Sequence, residues 1–305
     1  MKLKSFNDIV PAAAGAVGRT VVAAVMAHEE STLTALLRAR RAGIADSILI
    51  GDAKKINDAL TSIGAENEFL AVIEADDQLS ALLTAVRCVQ SGRANALMKG
   101  ALPTDMFLRT VVARENGFRR ADAKLSAVGL YNPASYHKLI AVTDFGMNIS
   151  PDADAKRAII NNAVALLRRL GTHTPKVAVL SDTERLQPKM TASVHAYELK
   201  KLWEAGEIKD CVLEGPIAFD LATSRAAAEI KRYRSPVAGD ADILVVPDIV
   251  SGNILVKAMT GFASMNTAGT IVGADLPVIL TSRSATADDK FYSVALAVAA
   301  NDRRG

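Results

Sequence analysis

Residues 276–300 read "LPVILTSRSATADDKFYSVALAVAA", and the junction inside them is the key to the architecture. Residues 277–281 are a short apolar run of the kind that forms a buried strand, and the segment from Ala287 onward reads as a helix. Between them stand Ser282, Arg283, Ser284, Thr286, Asp288 and Asp289. Two readings compete. Thr286 and Asp289 have the spacing of a capping box, and acids suit a helix N-terminus, in which case Arg283 merely pairs with an aspartate. Alternatively, ligands of α/β sheets bind outside the C-terminal ends of the strands, so that Arg283 holds a phosphate and an aspartate takes a proton.

The same strand-then-helix pattern extends outward along the chain. Apolar runs at 21–27, 47–52, 69–75 and 94–100 are each followed by a helical pattern, the last from Thr104 to Arg114. At 125–131 and 138–144 two strands are joined by "NPASYH", which reads as a hairpin, and a long helix follows from Asp154 to Leu170. Strands at 176–182, 211–215, 242–248 and 269–274 resume the alternation, with a helix expected from Gly252. The pattern predicts an α/β chain of mostly parallel sheets with helices on both faces and a domain change near residue 132. No internal repeat and no low-complexity tract is present.

Composition limits the function classes. The chain has 305 residues, half of them hydrophobic, which suffices for two domains or one large α/β unit. A net charge of +3 with scattered Lys and Arg does not describe a nucleic-acid binder, but it suits an anionic small molecule. Cys88 and Cys211 lie far apart in apolar surroundings and read as reduced, buried thiols of a cytoplasmic protein. His28, His137, His173 and His195 share no metal-ligand spacing, so no metal site is expected. The apolar segment 9–27 is split by Arg19, and no uninterrupted apolar run approaches the roughly 18 residues of a membrane span.

Three further strand-to-helix turns carry candidate chemistry. In "LMKGALPTD" (97–105), Gly100 lets backbone approach a ligand, Lys99 supplies a point charge, and Arg109 lies in the helix that follows. In "VTDFGMNISPD" (142–152), Pro151 and Asp152 suit a helix start, but Asp144 and Asn148 are polar groups in a segment otherwise fit for burial. In "VVPDIVSGNILVKAM" (245–259), Ser251, Gly252 and Asn253 open a helix whose N-terminus would take an anion, and Lys257 shares a face with Asn253. Together with Arg283 these turns favour a phosphate-bearing ligand in a cleft.

At this point the chain resembles the phosphate acetyltransferase and phosphate butyryltransferase family. "LMKGALPTDMFLR", "VTDFGMNISPD", "PKVAVLSDTERLQPKM", "VAGDADILVVPDIVSGNILVK" and "VILTSRSATADDKFYSVALAV" match its pattern in order, over roughly residues 20–300, with the butyryl-type members most similar. The resemblance implies a two-domain fold like that of isocitrate and isopropylmalate dehydrogenases, with 1–132 plus 273–305 forming one domain and 133–272 the other. It also implies an active site in the cleft between them, coenzyme A and phosphate as substrates, no permanently bound cofactor, and a homodimer. By similarity Ser282, Arg283 and Asp289 take the positions of the catalytic serine, phosphate-binding arginine and base. Arg109 takes that of an arginine that helps bind the anionic substrate. No serine–histidine–acid set is visible, which favours direct transfer in a ternary complex over an acyl-enzyme.

Other readings stay open at this stage. An acyl-carrier-protein:phosphate acyltransferase would want a broad basic docking surface, and none is legible. A metal- and NAD-dependent dehydrogenase of the same fold needs clustered aspartates, and Asp240, Asp242 and Asp248 are not spaced for that. A non-catalytic sensor of acyl-CoA would keep the cleft without turnover.

Overall fold

A computed structural model of the chain describes residues 3–16, 18–119 and 123–301. It divides into two compact units. One is Lys124–Met265 with the N-terminal stretch up to Ser5, and the other is Phe6–Ala123 with the chain from Asn266 onward.

The unit built from both chain ends begins with a 3-10 turn, Phe6–Asp8, and helix α1 (Ile9–Ala14). Strands and helices then alternate: β1 (Val21–Val25), α2 (Glu30–Arg41), β2 (Asp46–Gly51), α3 (Ala53–Ser62), β3 (Ala71–Glu74), α4 (Gln78–Gln90), β4 (Ala96–Lys99) and α5 (Thr104–Val112). The chain returns to this unit with β10 (Thr267–Val272), β11 (Val278–Ile279) and α11 (Ala287–Ala300). The strand order is β3-β2-β1-β4-β11-β10, parallel except for the antiparallel β10–β11 pair. Helix α11 is apolar on nearly every side, from Val294 to Ala300, and is buried accordingly against α1, α2 and β10. Its first turn is the capping box read from the sequence: Asp289 N donates to Thr286 Oγ1 (3.1 Å), and Thr286 N donates to Asp289 Oδ2 (3.0 Å).

The middle unit contains β5 (Ser126–Tyr131), β6 (Ile140–Thr143), α6 (Ala153–Arg169), β7 (Lys176–Leu180), α7 (Thr191–Glu204), β8 (Val212–Ile217), α8 (Phe219–Thr223), α9 (Arg225–Ile230), β9 (Ile243–Val245) and α10 (Ile249–Phe262). Its strand order is β5-β6-β9-β7-β8, with the predicted β5–β6 hairpin antiparallel and the remaining pairs parallel. The core of this unit includes Ile140, Val142, Leu180, Ile217, Leu221 and Leu244.

The fold class expected from the sequence is the one found, but two boundaries move. The units divide at 123/124 and 265/266, where the sequence reading has 132/133 and 272/273. Strand pairing gives the reason. β5 is one arm of the hairpin with β6 and stays with the middle unit, whereas β10 pairs with β11 through Thr270 and Ile279 and stays with the C-terminal segment. Helix α10 also starts earlier than Gly252, because Asp248 caps it: Ser251 N donates to Asp248 Oδ1 (2.8 Å).

Candidate active site

In the unit of the chain ends, β4 lies parallel between β1 and β11, with Lys99 opposite Val25 and Met98 opposite Ile279. The C-terminal ends of three neighbouring strands therefore open onto one edge. Gly100 N donates to Val25 O (2.9 Å) and Ala101 N to Met26 O (3.0 Å). A Cβ on Gly100 would sit 2.5 Å from both Val25 O and Met26 O, so only glycine allows this approach. Lys99 is 2% exposed, and its Nζ donates to Gly100 O (3.2 Å) and Leu102 O (3.1 Å). Among the described residues no carboxylate pairs with it. Burial, and next the charge of Arg283, bring the Lys99 pKa down to about 8, while Glu29 works the other way.

On the same edge, Ser282 and Arg283 are exposed, and the Ser282 hydroxyl lies 3.0 Å from that of Ser284. Among the described residues Arg283 pairs with no aspartate, contrary to the simpler reading of this turn. Asp288 is taken by Arg38, whose guanidinium also stands 4.4 Å from the centre of the Phe291 ring. Asp289 is 8% exposed, and its carboxylate accepts from Thr267 N on Oδ1 (2.6 Å) and from Thr286 N and Oγ1 on Oδ2 (3.0 and 2.8 Å). It ties the serine–arginine turn to the start of β10. Arg109 is a surface residue of α5, its side chain 84% exposed, 3.8 Å from Asp105 one helical turn away.

In the middle unit, Asp144 is buried, and its carboxylate is filled by the chain itself: it accepts from the backbone N–H groups of Ala127, Gly146, Met147 and Asn148 and from the Asn148 amide. Asn148 Nδ2 also donates to Leu125 O (2.9 Å). Both were expected to touch substrate. In the structure their polar atoms shape the loop after β6, with donors and acceptors satisfied locally.

The helix start expected at Ser251-Gly252-Asn253 lies earlier, at Ile249 behind the Asp248 cap. Ser251 N is capped by Asp248, and Gly252 N bonds to Asp248 O (3.0 Å) inside the helix. What requires glycine at 252 is packing, since a Cβ there would lie 2.7 Å from Val246 Cγ2 and 2.9 Å from Phe145 Cα. The helix start is thereby pressed onto the loop that Asp144 organises. Asn253 and Lys257 are exposed on α10 at one-turn spacing.

Some charged groups at these strand ends are invisible to local sequence reading. Lys290 is 1% exposed and gives all three of its protons, to Glu29 Oε2 (2.7 Å), Ser31 Oγ (2.8 Å) and Thr32 Oγ1 (2.9 Å). Lys156, 3% exposed on α6, meets the Nδ1 of His195 on α7 at 3.0 Å. These partners lie far apart in sequence, and no spacing rule links them. Asp240 and Asp242, weighed as metal ligands, are instead committed to Lys138, with Lys176 Nζ 2.7 Å and His137 Nε2 2.8 Å from Asp240. Among the described residues no cluster of histidine, cysteine and acidic groups could hold a metal ion. A cavity of about 590 Å³ in the middle unit, lined by His137, Phe219, Arg225, Met259, Phe262 and Met265 among others, contains none of the residues singled out from the sequence.

This combination is that of an α/β enzyme with cations at its strand ends. Residues 74–298 match the family model described as "Phosphate acetyl/butaryl transferase". The chain is 38% identical over 302 residues to the probable phosphate butyryltransferase of Bacillus subtilis (strain 168), covering 99% of each chain. It is 35% identical over 282 residues to the phosphate acetyltransferase of Rhizobium meliloti, covering 92% of this chain and 89% of that one. The crystal structure of a branched-chain phosphotransacylase from Enterococcus faecalis V583 superimposes with a TM-score of 0.76 at 32% identity, over 92% of this chain and 98% of that one. The chain belongs to the phosphate acetyltransferase/butyryltransferase family and is an enzyme of the acyltransferase class.

Proposed function

We propose that this protein is a phosphate acyltransferase that moves a short acyl group, acetyl or butyryl, reversibly between coenzyme A and inorganic phosphate. The observation that carries the reading is Lys99, a buried ammonium without a carboxylate partner among the described residues, on the same strand edge as Arg283. The charge of Arg283 works against the Lys99 ammonium, and a bound phosphate relieves that. Arg283 presents a planar fork that suits a phosphate in two-point contact.

In the direction of acyl-CoA synthesis, the thiol sulfur attacks the acyl carbon of the acyl phosphate. The C–S bond forms, the C–O bond to phosphate breaks, and the thiol proton passes to a carboxylate. A free thiol has a pKa of about 8.5, so a base assists this step. Asp289 fills that role through Oδ1, which holds one hydrogen bond where Oδ2 holds two. A carboxylate is by nature a weak base toward a thiol, so proton transfer accompanies C–S bond formation and does not precede it. Ser282 orients the acyl carbonyl or the sulfur, Arg283 takes the departing phosphate, and Arg109, Asn253 and Lys257 supply further contacts to the anionic substrates. Transfer is direct, within a ternary complex.

The experiment is thiol release from acetyl-CoA and butyryl-CoA with and without phosphate. Release that requires phosphate supports the reading, and the ratio of the two substrates gives the acyl preference. Coenzyme A binding without turnover would favour a sensor instead.

A further inference from the structure

The C-terminal strand ends of the middle unit hold a buried lysine that, like Lys99, has no carboxylate partner among the described residues and that the reaction described above does not use. Lys156 stands at the start of α6 after β6, and His195 at the start of α7 after β7. Among the described residues the only side-chain hydrogen-bond partner of either is the other, Nζ to Nδ1 at 3.0 Å. Asp248, the cap of α10 after β9, is close enough to favour the charged lysine, as is Asp152, the cap of α6. Yet both carboxylates accept from their own helices, Asp152 from Ala155 N (2.8 Å) and Asp248 from Ser251 N (2.8 Å), and neither forms an ion pair with Lys156 among the described residues. A lysine that is 3% exposed thus lies near the positive ends of helices with an imidazole as its hydrogen-bond partner.

We infer that Lys156 and His195 form a phosphate-binding subsite of the middle unit. The inference rests on the phosphate acyltransferase reading, which supplies two sources of that chemistry: inorganic or acyl phosphate, and the phosphate groups of coenzyme A. The lysine donates to Nδ1, so the imidazole is neutral with its proton on Nε2. Two lysine protons and the imidazole N–H remain for an anion. Burial and then Lys156 hold His195 below its ordinary pKa, against Glu198 and Asp152, and burial brings Lys156 down to about 8. A bound phosphate reverses both effects. Once it accepts from Lys156, Nδ1 is free to take a proton, and the imidazolium becomes a second charged donor. Phosphate binding at this subsite therefore takes up a proton, and affinity rises as pH falls through the His195 titration.

The test measures KM for phosphate and for acyl-CoA separately, across pH, in wild type, Lys156→Met, Lys156→Arg and His195→Gln, with thermal unfolding of each. Loss of a charged hydrogen bond to phosphate raises the affected KM about tenfold or more. A rise confined to KM for acyl-CoA assigns the subsite to a coenzyme phosphate, and one confined to KM for phosphate assigns it to the inorganic ion. In either case Lys156→Arg recovers part of the loss. His195→Gln flattens the pH dependence of that KM relative to wild type, so that the substrates' own ionisations cancel in the comparison. Unchanged KM values in folded Lys156→Met and His195→Gln overturn the inference and leave the pair a structural tie between α6 and α7. If Lys156→Met does not fold, the pH dependence in His195→Gln decides alone. Absence of phosphate-dependent turnover in wild type would instead defeat the underlying reading of function.

Discussion

Lys290 Nζ lies 2.7 Å from Glu29 Oε2, joining the first turn of α11 to the turn between β1 and α2. Burial is the largest single effect and works against the Glu29 charge, but the bond and charge of Lys290, with Thr32 and His28, together outweigh it and hold the carboxyl below its ordinary pKa. The two residues before Lys290 are fixed as well, Asp289 by Thr267 and Thr286 and Asp288 by Arg38. The serine–arginine turn is thus a short exposed segment hung from a rigid helix start. Replacing Lys290 by Met leaves Glu29, which is partly exposed, without its counter-charge, and losing a hydrogen bond between charged groups typically costs about 1.5–3 kcal/mol. Chemical denaturation of Lys290→Met should show a loss of that size. A loss within about 0.5 kcal/mol, the range of ordinary surface substitutions, would mean the pair does not brace this edge.

Lys99 gives the proposed anion site a pH limit. Its ammonium form is present below a pKa of about 8 and is lost above it, so affinity for phosphate should fall as pH rises through that value. The charged groups acting on it are Arg283 and Lys290, which favour the neutral amine, and Glu29, which favours the ammonium. Glu29→Gln should therefore move the alkaline limb of kcat/KM for phosphate to lower pH, by on the order of one unit for a charge at close range. Comparison with wild type removes the ionisation of the substrates. An unmoved limb, or one displaced upward, would exclude Lys99 as the group that titrates.

Gly100→Ala should destabilise the protein by about 1–3 kcal/mol, the usual cost of overpacking, because the new methyl group meets two backbone carbonyl oxygens that cannot move independently. The same change displaces Lys99, so KM for phosphate should rise with it. Alanine tolerated at both levels would mean that β1 and β4 approach less closely than 2.5 Å to that Cβ implies.

Asp289 has two roles that substitution separates. Asp289→Asn keeps one acceptor oxygen for the Thr286 cap but sets its amide NH2 against Thr267 N, which should cost about 1–3 kcal/mol, and Asp289→Ala also removes the cap contact, worth about 1 kcal/mol more. If Asp289 is the base, both variants lose most turnover while remaining folded. Near-wild-type kcat in folded Asp289→Asn would remove it from the chemistry and leave it an anchor.

The alternation of apolar runs and helical patterns made the fold legible, and the capping box of Thr286 and Asp289 was readable from spacing alone, because both depend on neighbours within a few residues. The helix start at Asp248 was harder. The eye goes to Ser251-Gly252-Asn253, but Asp248 and Ser251 satisfy each other's backbone and move the start three residues earlier. Asp144 shows the limit from the other side. Its polarity in a buried segment was noticeable, but only the fold reveals that four backbone amides and one side-chain amide consume its acceptors. Lys290 with Glu29 and Lys156 with His195 pair across distant elements, and nothing local in the sequence encodes either meeting.

The central claim is tested most directly by following free thiol from purified wild-type protein given acetyl-CoA or butyryl-CoA, with phosphate present or omitted, beside Arg283→Ala. The account predicts release that depends on phosphate and falls to near background in the folded Arg283→Ala variant. Release that is indifferent to phosphate, or undiminished without Arg283, would contradict it.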